Sequence, residues 1–165
     1  MAKIIYPLED VLKIKKKRVE DAERALRERE AELEKENERL REREAERDKV
    51  KQHLADKLRQ FRFELDSGLT TSPKIQQMKD YMKLVEEQLV KEEQKVKIQQ
   101  KAVQEAERKV EEAKAFLAEK KREVDKLEEH KLNWLKGVKK ELELEEAKEQ
   151  DELGNIIYSL QRRKK

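Results

Sequence analysis

The residues that could do chemistry are few and scattered along this chain. Its two histidines, His53 and His130, are far apart in the sequence, and there is no cysteine to act as a nucleophile or a thiolate ligand. The 39 acidic residues are interspersed with 42 Lys and Arg, so no carboxylate pair stands out as a general acid and base. Neither a Gly-rich phosphate loop nor zinc-ligand spacing is found. The sequence therefore predicts a protein that is not an enzyme and holds no cofactor or metal.

Basic residues do gather in two places. Lys13 and residues Lys15 to Arg18 form the first basic cluster, and Arg162 to Lys165 form the second. Such clusters can dock on acidic proteins or anionic polymers, although a basic end also complements the dipole at a helix C-terminus. No aromatic residues are interleaved with these basic ones, so nucleic-acid binding is the weakest interpretation.

The composition favours long helices over a compact core. Charged residues make up 49% of the chain and aromatic residues only 4%, which is too polar for a core of the usual size. Only 3 Gly and 2 Pro are present and strong helix formers fill most positions, which argues against disorder. The opening residues lack the apolar core of a signal peptide, and no apolar run reaches the roughly 20 residues that span a bilayer. We expect a soluble, cytoplasmic protein without membrane insertion.

One strong break interrupts the helical pattern, at residues 66–73. Gly68 suits the left-handed residue that follows a helix end, and Ser72 before Pro73 is typical of an N-cap followed by the first helical residue. Pro7 followed by two acidic residues is a similar start. The sequence thus predicts helix 1 over about 7–66, a turn over 67–72 and helix 2 over about 73–162.

Apolar residues recur every seven positions in both segments. The repeat runs through Leu12, Val19, Leu26, Leu33, Leu40, Leu54 and Phe61 in helix 1, where only Arg47 breaks it, and through Ile75, Met82, Leu89, Val96, Val103, Val110, Leu117 and Val124 in helix 2. A strict seven-residue repeat of this length indicates a coiled coil. Between Arg29 and Arg47 the companion positions of helix 1 are charged, so we expect the least stable stretch there.

A short turn makes the two helices antiparallel neighbours. Facing residue numbers should then add to roughly 140, which places Leu12 near Leu127 and Leu8 near Trp134. Helix 1 has no further residues to pair beyond this point, whereas helix 2 continues for about 30 residues, or roughly 45 Å. The predicted fold is all-α, a single domain over residues 1–165: a two-helix antiparallel coiled-coil hairpin whose second helix is about 30 residues longer than the first.

The unpaired extension of helix 2, about residues 135–165, is here called the overhang. Helix 1 cannot cover its apolar residues, which are Leu135, Val138, Leu142, Leu144, Leu153, Ile156, Ile157, Tyr158 and Leu160. An exposed apolar stripe usually marks a protein interface. Either a different protein or a second copy of the chain could cover the stripe, and we favour a different protein.

Two aromatic residues near the turn, Phe63 and Tyr81, fall off the heptad seam at a similar height. Exposed aromatic side chains often anchor protein contacts. These two either form a second contact patch or brace the turn against each other.

The opening residues Tyr6-Pro7-Leu8-Glu9-Asp10-Val11-Leu12-Lys13-Ile14-Lys15, followed by Arg18, Glu20 and Ala22, carry a family resemblance. This segment resembles the start of the FliJ and YscO proteins, the central-stalk components of flagellar and virulence type III secretion systems. Chain length, the single long hairpin and the longer second helix are similar too, so the resemblance covers the whole chain in architecture.

The resemblance implies a non-enzymatic stalk, similar to the γ-subunit of rotary ATPases, that links the secretion ATPase hexamer to the export-gate subunit. It also implies possible escort of secretion chaperones and a cytoplasmic position, peripheral at the base of the apparatus. Both termini form the open end of the hairpin, which would enter the ATPase ring. Partner-binding residues at this end are expected to be Tyr6, Leu8, Leu12, Leu142, Leu153, Ile156, Ile157 and Leu160. Phe63 and Tyr81 are expected to contact the export gate, although no sequence motif supports this assignment.

Two other functions stay open at this point. The chain could be a homodimeric coiled-coil scaffold whose overhangs pair, which molar mass in solution would reveal. Less favoured is a nucleic-acid-binding hairpin that uses its basic open end, which salt-sensitive retention on heparin or RNA would indicate.

Overall fold

The computed structural model describes residues 4–164, which form two α-helices joined by a turn. Helix α1 spans Glu9–Asp66 (58 residues) and helix α2 spans Ser72–Arg163 (92 residues). The all-α hairpin with a second helix about 30 residues longer is therefore confirmed, and the helix bounds lie close to the predicted ones. Within the described residues, neither helix contains a segment apolar enough to cross a membrane.

The turn is held by backbone and hydroxyl hydrogen bonds around the end of α1. Gly68 has a φ of 70°, the left-handed conformation that glycine adopts without strain, and its N–H donates to the carbonyl of Leu65 at 3.2 Å. The hydroxyls of Ser67 and Thr70 both donate to the carbonyl of Glu64, at 2.6 and 2.8 Å. The last carbonyls of α1 therefore find partners before the chain reverses.

Helix α2 starts one residue earlier than predicted. The N–H of Ile75 donates to the carbonyl of Thr71 at 3.1 Å, so Thr71 occupies the N-cap position and Ser72 is the first helical residue. The prediction that Ser72 is the N-cap was wrong by this one residue. Proline is tolerated throughout the first turn, where N–H groups have no helical acceptor, so Pro73 does not fix the starting residue.

The chain packs as two compact units, which are described separately. Residues Arg24–Ala115 form the turn unit, and residues 4–23 together with residues 116–164 form the terminal unit. The single domain predicted for residues 1–165 stays a prediction.

The turn unit is centred on a row of valines along α2. Val85, Val96, Val103 and Val110 are each less than a tenth exposed, and the last three lie in the predicted seven-residue repeat. Between them the seam is polar, because Gln99 donates to the carbonyl of Glu36 at 3.0 Å and to its carboxylate at 2.5 Å. This pairing lies one turn of α1 away from the predicted neighbour of Gln99, Leu40, and places a hydrogen-bonded polar pair where two apolar side chains would otherwise pack.

Glu92 is a second polar interruption of the turn unit. Its side chain is only 12% exposed, and its Oε2 is buried without a hydrogen-bond partner. Burying a carboxylate oxygen without a partner is unfavourable. We therefore expect Glu92→Leu to raise the free energy of unfolding by about 1 kcal/mol, measured by thermal or urea denaturation followed by circular dichroism.

The neighbouring Glu93 provides the matched control, since its side chain is exposed. Glu93→Leu should change the stability by no more than about 0.5 kcal/mol. A Glu92→Leu variant less stable than the wild type would show that the ion pair of Glu92 with Lys95, at 3.2 Å on the same helix, outweighs the cost of burying the carboxylate.

The terminal unit pairs the start of α1 with residues after Phe116 of α2. Leu12, Ala22 and Leu117 are buried between them. Lys131 forms an ion pair with Glu9 at 2.8 Å, and Lys15 forms one with Glu123 at 3.0 Å. The paired numbers add to 140 and 138, so the predicted register is confirmed in this unit.

Candidate partner-binding surfaces

The open end begins with a buried aromatic cluster. Tyr6 is only 3% exposed, and its ring centroid lies 5.5 Å from that of Trp134, edge-on, and 5.6 Å from that of His130. The Tyr6 hydroxyl is hydrogen-bonded to Nδ1 of His130. The Tyr6 carbonyl accepts a hydrogen bond from the N–H of Glu9 at 3.1 Å, at the first residue of α1. Tyr6 thus fixes the chain before α1 against α2.

The three partner-binding residues expected on the α1 side occupy different environments. Tyr6 and Leu12 are inside the terminal unit, at 3% and 1% exposure, whereas Leu8 is exposed. In this conformation Tyr6 and Leu12 stabilise the open end and offer little surface to a partner. Their direct contact with a partner stays a prediction, and Leu8 is the residue of the three that a partner can reach.

Part of the first basic cluster is engaged within the terminal unit. Lys15 pairs with Glu123 at 3.0 Å, and Lys16 pairs with Glu128 at 3.4 Å. A hydrogen bond from Lys131 is the main reason that the pKa of Glu9 lies below its ordinary value. The ion pairs of Lys15 and Lys16 reduce the positive charge that the first basic cluster offers to an anionic polymer, which weakens the nucleic-acid interpretation further.

The Lys15–Glu123 pair has a measurable pH signature. The pKa of Glu123 lies below its ordinary value of 4.5, chiefly because Lys15 donates a hydrogen bond to it, with Lys120 adding a second positive charge. Because the folded pKa is depressed, the stabilising contribution is present above pH 4.5 and is lost as the pH falls through the folded value. Lys15→Met should raise the pKa of Glu123 toward 4.5 in a carboxyl NMR titration.

Lys17 serves as the control for that titration because its side chain is exposed. Lys17→Met should leave the Glu123 titration nearly unchanged. An unchanged Glu123 pKa in Lys15→Met would mean that Lys120 alone produces the shift.

The overhang is helical and uncovered. From Lys139 to Lys164 every residue is exposed, whereas Val138 is still half-buried. Exposed apolar side chains of the overhang are Leu135, Leu142, Leu144, Leu153, Ile156, Ile157, Tyr158 and Leu160. Ile156 lies about 33 Å along the helix from Trp134 at 1.5 Å per residue. The structure therefore does not bring the apolar residues from Leu142 onward together with Tyr6, Leu8 and Leu12.

Charges along the overhang are separated into blocks. Its middle is strongly acidic, with Lys148 as the single basic residue among Glu141, Glu143, Glu145, Glu146, Glu149, Asp151 and Glu152. Arg162, Arg163 and Lys164 follow, and Lys165 of the same basic cluster lies outside the described residues. A partner of the overhang must therefore match an acidic segment, an apolar patch and a basic end in that order.

At the turn, the two aromatic residues expected to act together have different surroundings. Phe63 is 78% exposed. Tyr81 instead packs edge-on against Phe61, with its hydroxyl hydrogen-bonded to Nε2 of His53 at 2.6 Å. Next to them lies an apolar groove of about 360 Å³, lined mainly by Leu58, Phe61, Leu65, Ile75, Met78 and Met82. Tyr81 thus braces the turn unit, while Phe63 is free to meet a partner.

The tyrosine–histidine pairs were missed in the sequence. His130 of α2 is hydrogen-bonded to Tyr6, which precedes α1, and His53 of α1 is hydrogen-bonded to Tyr81 of α2. The signal was present, because 6 and 134 add to the predicted 140 and place Tyr6 against Trp134, one turn from His130. Within residues 4–164, no three His, Asp or Glu side chains converge in a way that could hold a metal ion.

Comparison with known proteins agrees with this architecture. The YscO-like protein family model matches residues 3–164. The solved structure of a Chlamydia trachomatis protein described as a YscO homologue is similar to this chain with a TM-score of 0.93 and 46% sequence identity, covering 99% of this chain and 100% of that one. No curated protein matches the chain. The likeness to FliJ stays a prediction, but the chain belongs to the YscO-like family, a type III secretion family and not an enzyme family.

Proposed function

We propose that this chain is a non-enzymatic stalk component of a type III secretion apparatus, which docks through its overhang on the secretion ATPase hexamer. The uncovered overhang is the observation that carries the proposal. It presents a long run of exposed helix with an apolar patch at Leu153, Ile156, Ile157 and Leu160. Side chains of this kind are stabilised when a partner covers them.

The aromatic cluster supports this role indirectly. Tyr6 and Leu12 hold the start of α1 against α2, so α2 enters the overhang from a packed two-helix segment. Leu142, exposed nearer the start of the overhang, belongs to the same docking surface, and Leu8, exposed beside Tyr6 and Leu12, is a separate point that the partner can reach.

We assign the turn unit to the second contact, with the export-gate subunit. Phe63 is the main anchor there because it is 78% exposed, and Tyr81 supports the same end through Phe61 and His53. Secretion chaperones would be transient partners of the free chain. The proposal places the chain in the cytoplasm at the base of the apparatus, where it couples ATP hydrolysis in the ring to the gate without hydrolysing ATP itself.

The decisive measurement is the rate of ATP hydrolysis by the secretion ATPase of the same system, titrated with this chain. The wild-type chain should increase the rate. A Leu153→Asp, Ile156→Asp double variant should require about a hundredfold higher concentration, because two charges would have to be buried in the interface. Both side chains are exposed in the free chain, so the variant should keep its helical circular dichroism.

Ile98→Asp is the matched control, since Ile98 is an exposed aliphatic residue of the turn unit. It should stimulate the ATPase as the wild type does. If the wild-type chain neither binds the ATPase nor alters its rate, the stalk proposal fails. If the double variant stimulates fully, the docking surface is not the overhang patch.

A further inference from the structure

The apolar patch of the overhang lies on one face of α2. Leu153, Ile156, Ile157 and Leu160 follow the spacing i, i+3, i+4, i+7, so their side chains form a single stripe. Each is more than half exposed. Leu144 and Tyr158 are exposed as well, but the 100° step per residue places them on the opposite face. The patch is therefore one-sided, as the surface of a two-helix contact would be.

Charged residues continue the same stripe on both sides of the patch. Glu146 and Glu149 precede it at spacings of three and four residues, and Arg163 and Lys164 follow it at the same spacings. Negative charge thus lies at one end of the stripe and positive charge at the other, with apolar residues between. A stripe of this kind is complementary to itself when it is reversed.

We propose that the overhangs of two copies of this chain pair antiparallel through this stripe. Facing residue numbers would add to about 310, the register that places a positions opposite d positions in an antiparallel coiled coil. Leu153 of one copy then packs against Ile156 and Ile157 of the other. Glu146 of each copy lies opposite Arg163 and Lys164 of the other, at both ends of the contact.

Charge selects this arrangement over a parallel one. In a parallel pair in register, Glu146 and Glu149 would face their own copies, as would Arg163 and Lys164, and like charges at close range are unfavourable. The antiparallel pair replaces these repulsions with attractions between Glu146 and the Arg163–Lys164 pair of the other copy, while Glu149 faces Leu160 and Gln161. A second copy is therefore the occupant that the charge order favours for this face.

The length of the overhang also fits a second copy. In this register Lys164, the last described residue of one copy, lies opposite Glu146 of the other copy. That position is about eight residues beyond Val138, the last half-buried residue of α2. The described residues of the other copy's overhang therefore end before they meet α1. The parts of the two copies in which α1 and α2 pack together lie at opposite ends of the contact.

The pairing would also regulate docking. It covers Leu153, Ile156 and Leu160, so a paired chain could not present them to the secretion ATPase. This consequence rests on the proposed function, whereas the pairing itself does not. The contact spans about 19 residues of each chain, roughly 28 Å. Because this contact is small, we expect a dissociation constant on the order of ten to a hundred micromolar, which binding to the ATPase ring can overcome.

Sedimentation equilibrium of the full chain, without the ATPase, tests the pairing. The wild type should pass from monomer to dimer between about 1 µM and 0.5 mM. Ile156→Asp should weaken the dimer at least tenfold, whereas Leu144→Asp, on the opposite face, should leave it unchanged. A chain that stays monomeric up to 0.5 mM, or that loses dimer equally in both variants, overturns the proposal.

Cross-linking tests the antiparallel register, because the chain contains no cysteine of its own. When Glu146→Cys and Lys164→Cys chains are mixed, disulfides should form between the two variants. Glu146→Cys alone should not cross-link within the dimer, since the two sites would lie roughly 27 Å apart along the helix. Efficient cross-linking of Glu146→Cys to itself would establish a parallel pair and overturn the register. Both assays omit the ATPase, so their failure is distinct from failure of the stalk proposal.

Discussion

Leu12→Ala is expected to lower the free energy of unfolding of the terminal unit by about 3 kcal/mol. Leu12 is 1% exposed, the most completely buried large side chain in the described part of the chain. Removing its isobutyl group leaves a cavity, and the flanking residues are held in place by the Tyr6 cluster and by the Glu9–Lys131 ion pair. Urea denaturation, together with hydrogen exchange of the amides at the start of α1, measures the loss.

Ile14→Ala provides the comparison, because Ile14 is an aliphatic residue of the same turn of α1 that is 53% exposed. It should change stability by about 0.5 kcal/mol or less. Equal losses in the two variants would show that Leu12 is not in the core. In that case the expectation that Leu12 contacts the ATPase directly, drawn from the family resemblance, would gain support.

The heptad positions show why the fold was readable from sequence. Val96, Val103 and Val110 were placed in the seam by a seven-residue repeat, and all three are buried. The repeat is a local property of each helix, and a short turn leaves the second helix only one way to pack. The overhang followed from the same reasoning, since α2 is longer than α1 and extends past the residues that α1 can cover.

The contacts of individual side chains were harder to predict from the sequence than the fold. Tyr6 precedes α1, so no helical period describes it, and only the packed structure shows that it points at Trp134. Gln99 reaches Glu36 across the seam, one turn from the expected neighbour, because long side chains contact diagonal positions as readily as direct ones. The Thr71 cap likewise depended on a single backbone hydrogen bond.

The candidate binding residues were therefore found in two different ways, some from the lengths of the helices and others from side-chain contacts. The overhang patch is exposed because α1 does not extend far enough to cover it, and the lengths of the two helices are sufficient to predict this. The contribution of Tyr6 and Leu12 is defined by contacts, because both are buried in the terminal unit, and their direct contact with a partner stays a prediction. A variant of either residue should thus affect ATPase docking through loss of local structure, whereas Leu153 and Ile156 variants should affect it without such loss.

Tyr6→Ala is the second substitution with a large expected effect. Tyr6 is 3% exposed and contacts both His130 and Trp134, so truncation should cost about 3 kcal/mol in the terminal unit. Trp134 is the single tryptophan of the chain, and loss of the Tyr6 ring opens it to water. The native fluorescence emission of Trp134 should therefore shift to longer wavelength in Tyr6→Ala.

Tyr6→Phe separates packing from hydrogen bonding. It keeps the ring beside Trp134 and removes the hydroxyl bonded to His130, so we expect a loss of about 1 kcal/mol and an unshifted emission. An emission shift in Tyr6→Phe as large as in Tyr6→Ala would mean that the hydrogen bond, and not ring packing, holds the residues before α1 against α2. Unchanged emission in both variants would contradict the aromatic cluster, and the residues before α1 would then be free to reach a partner directly.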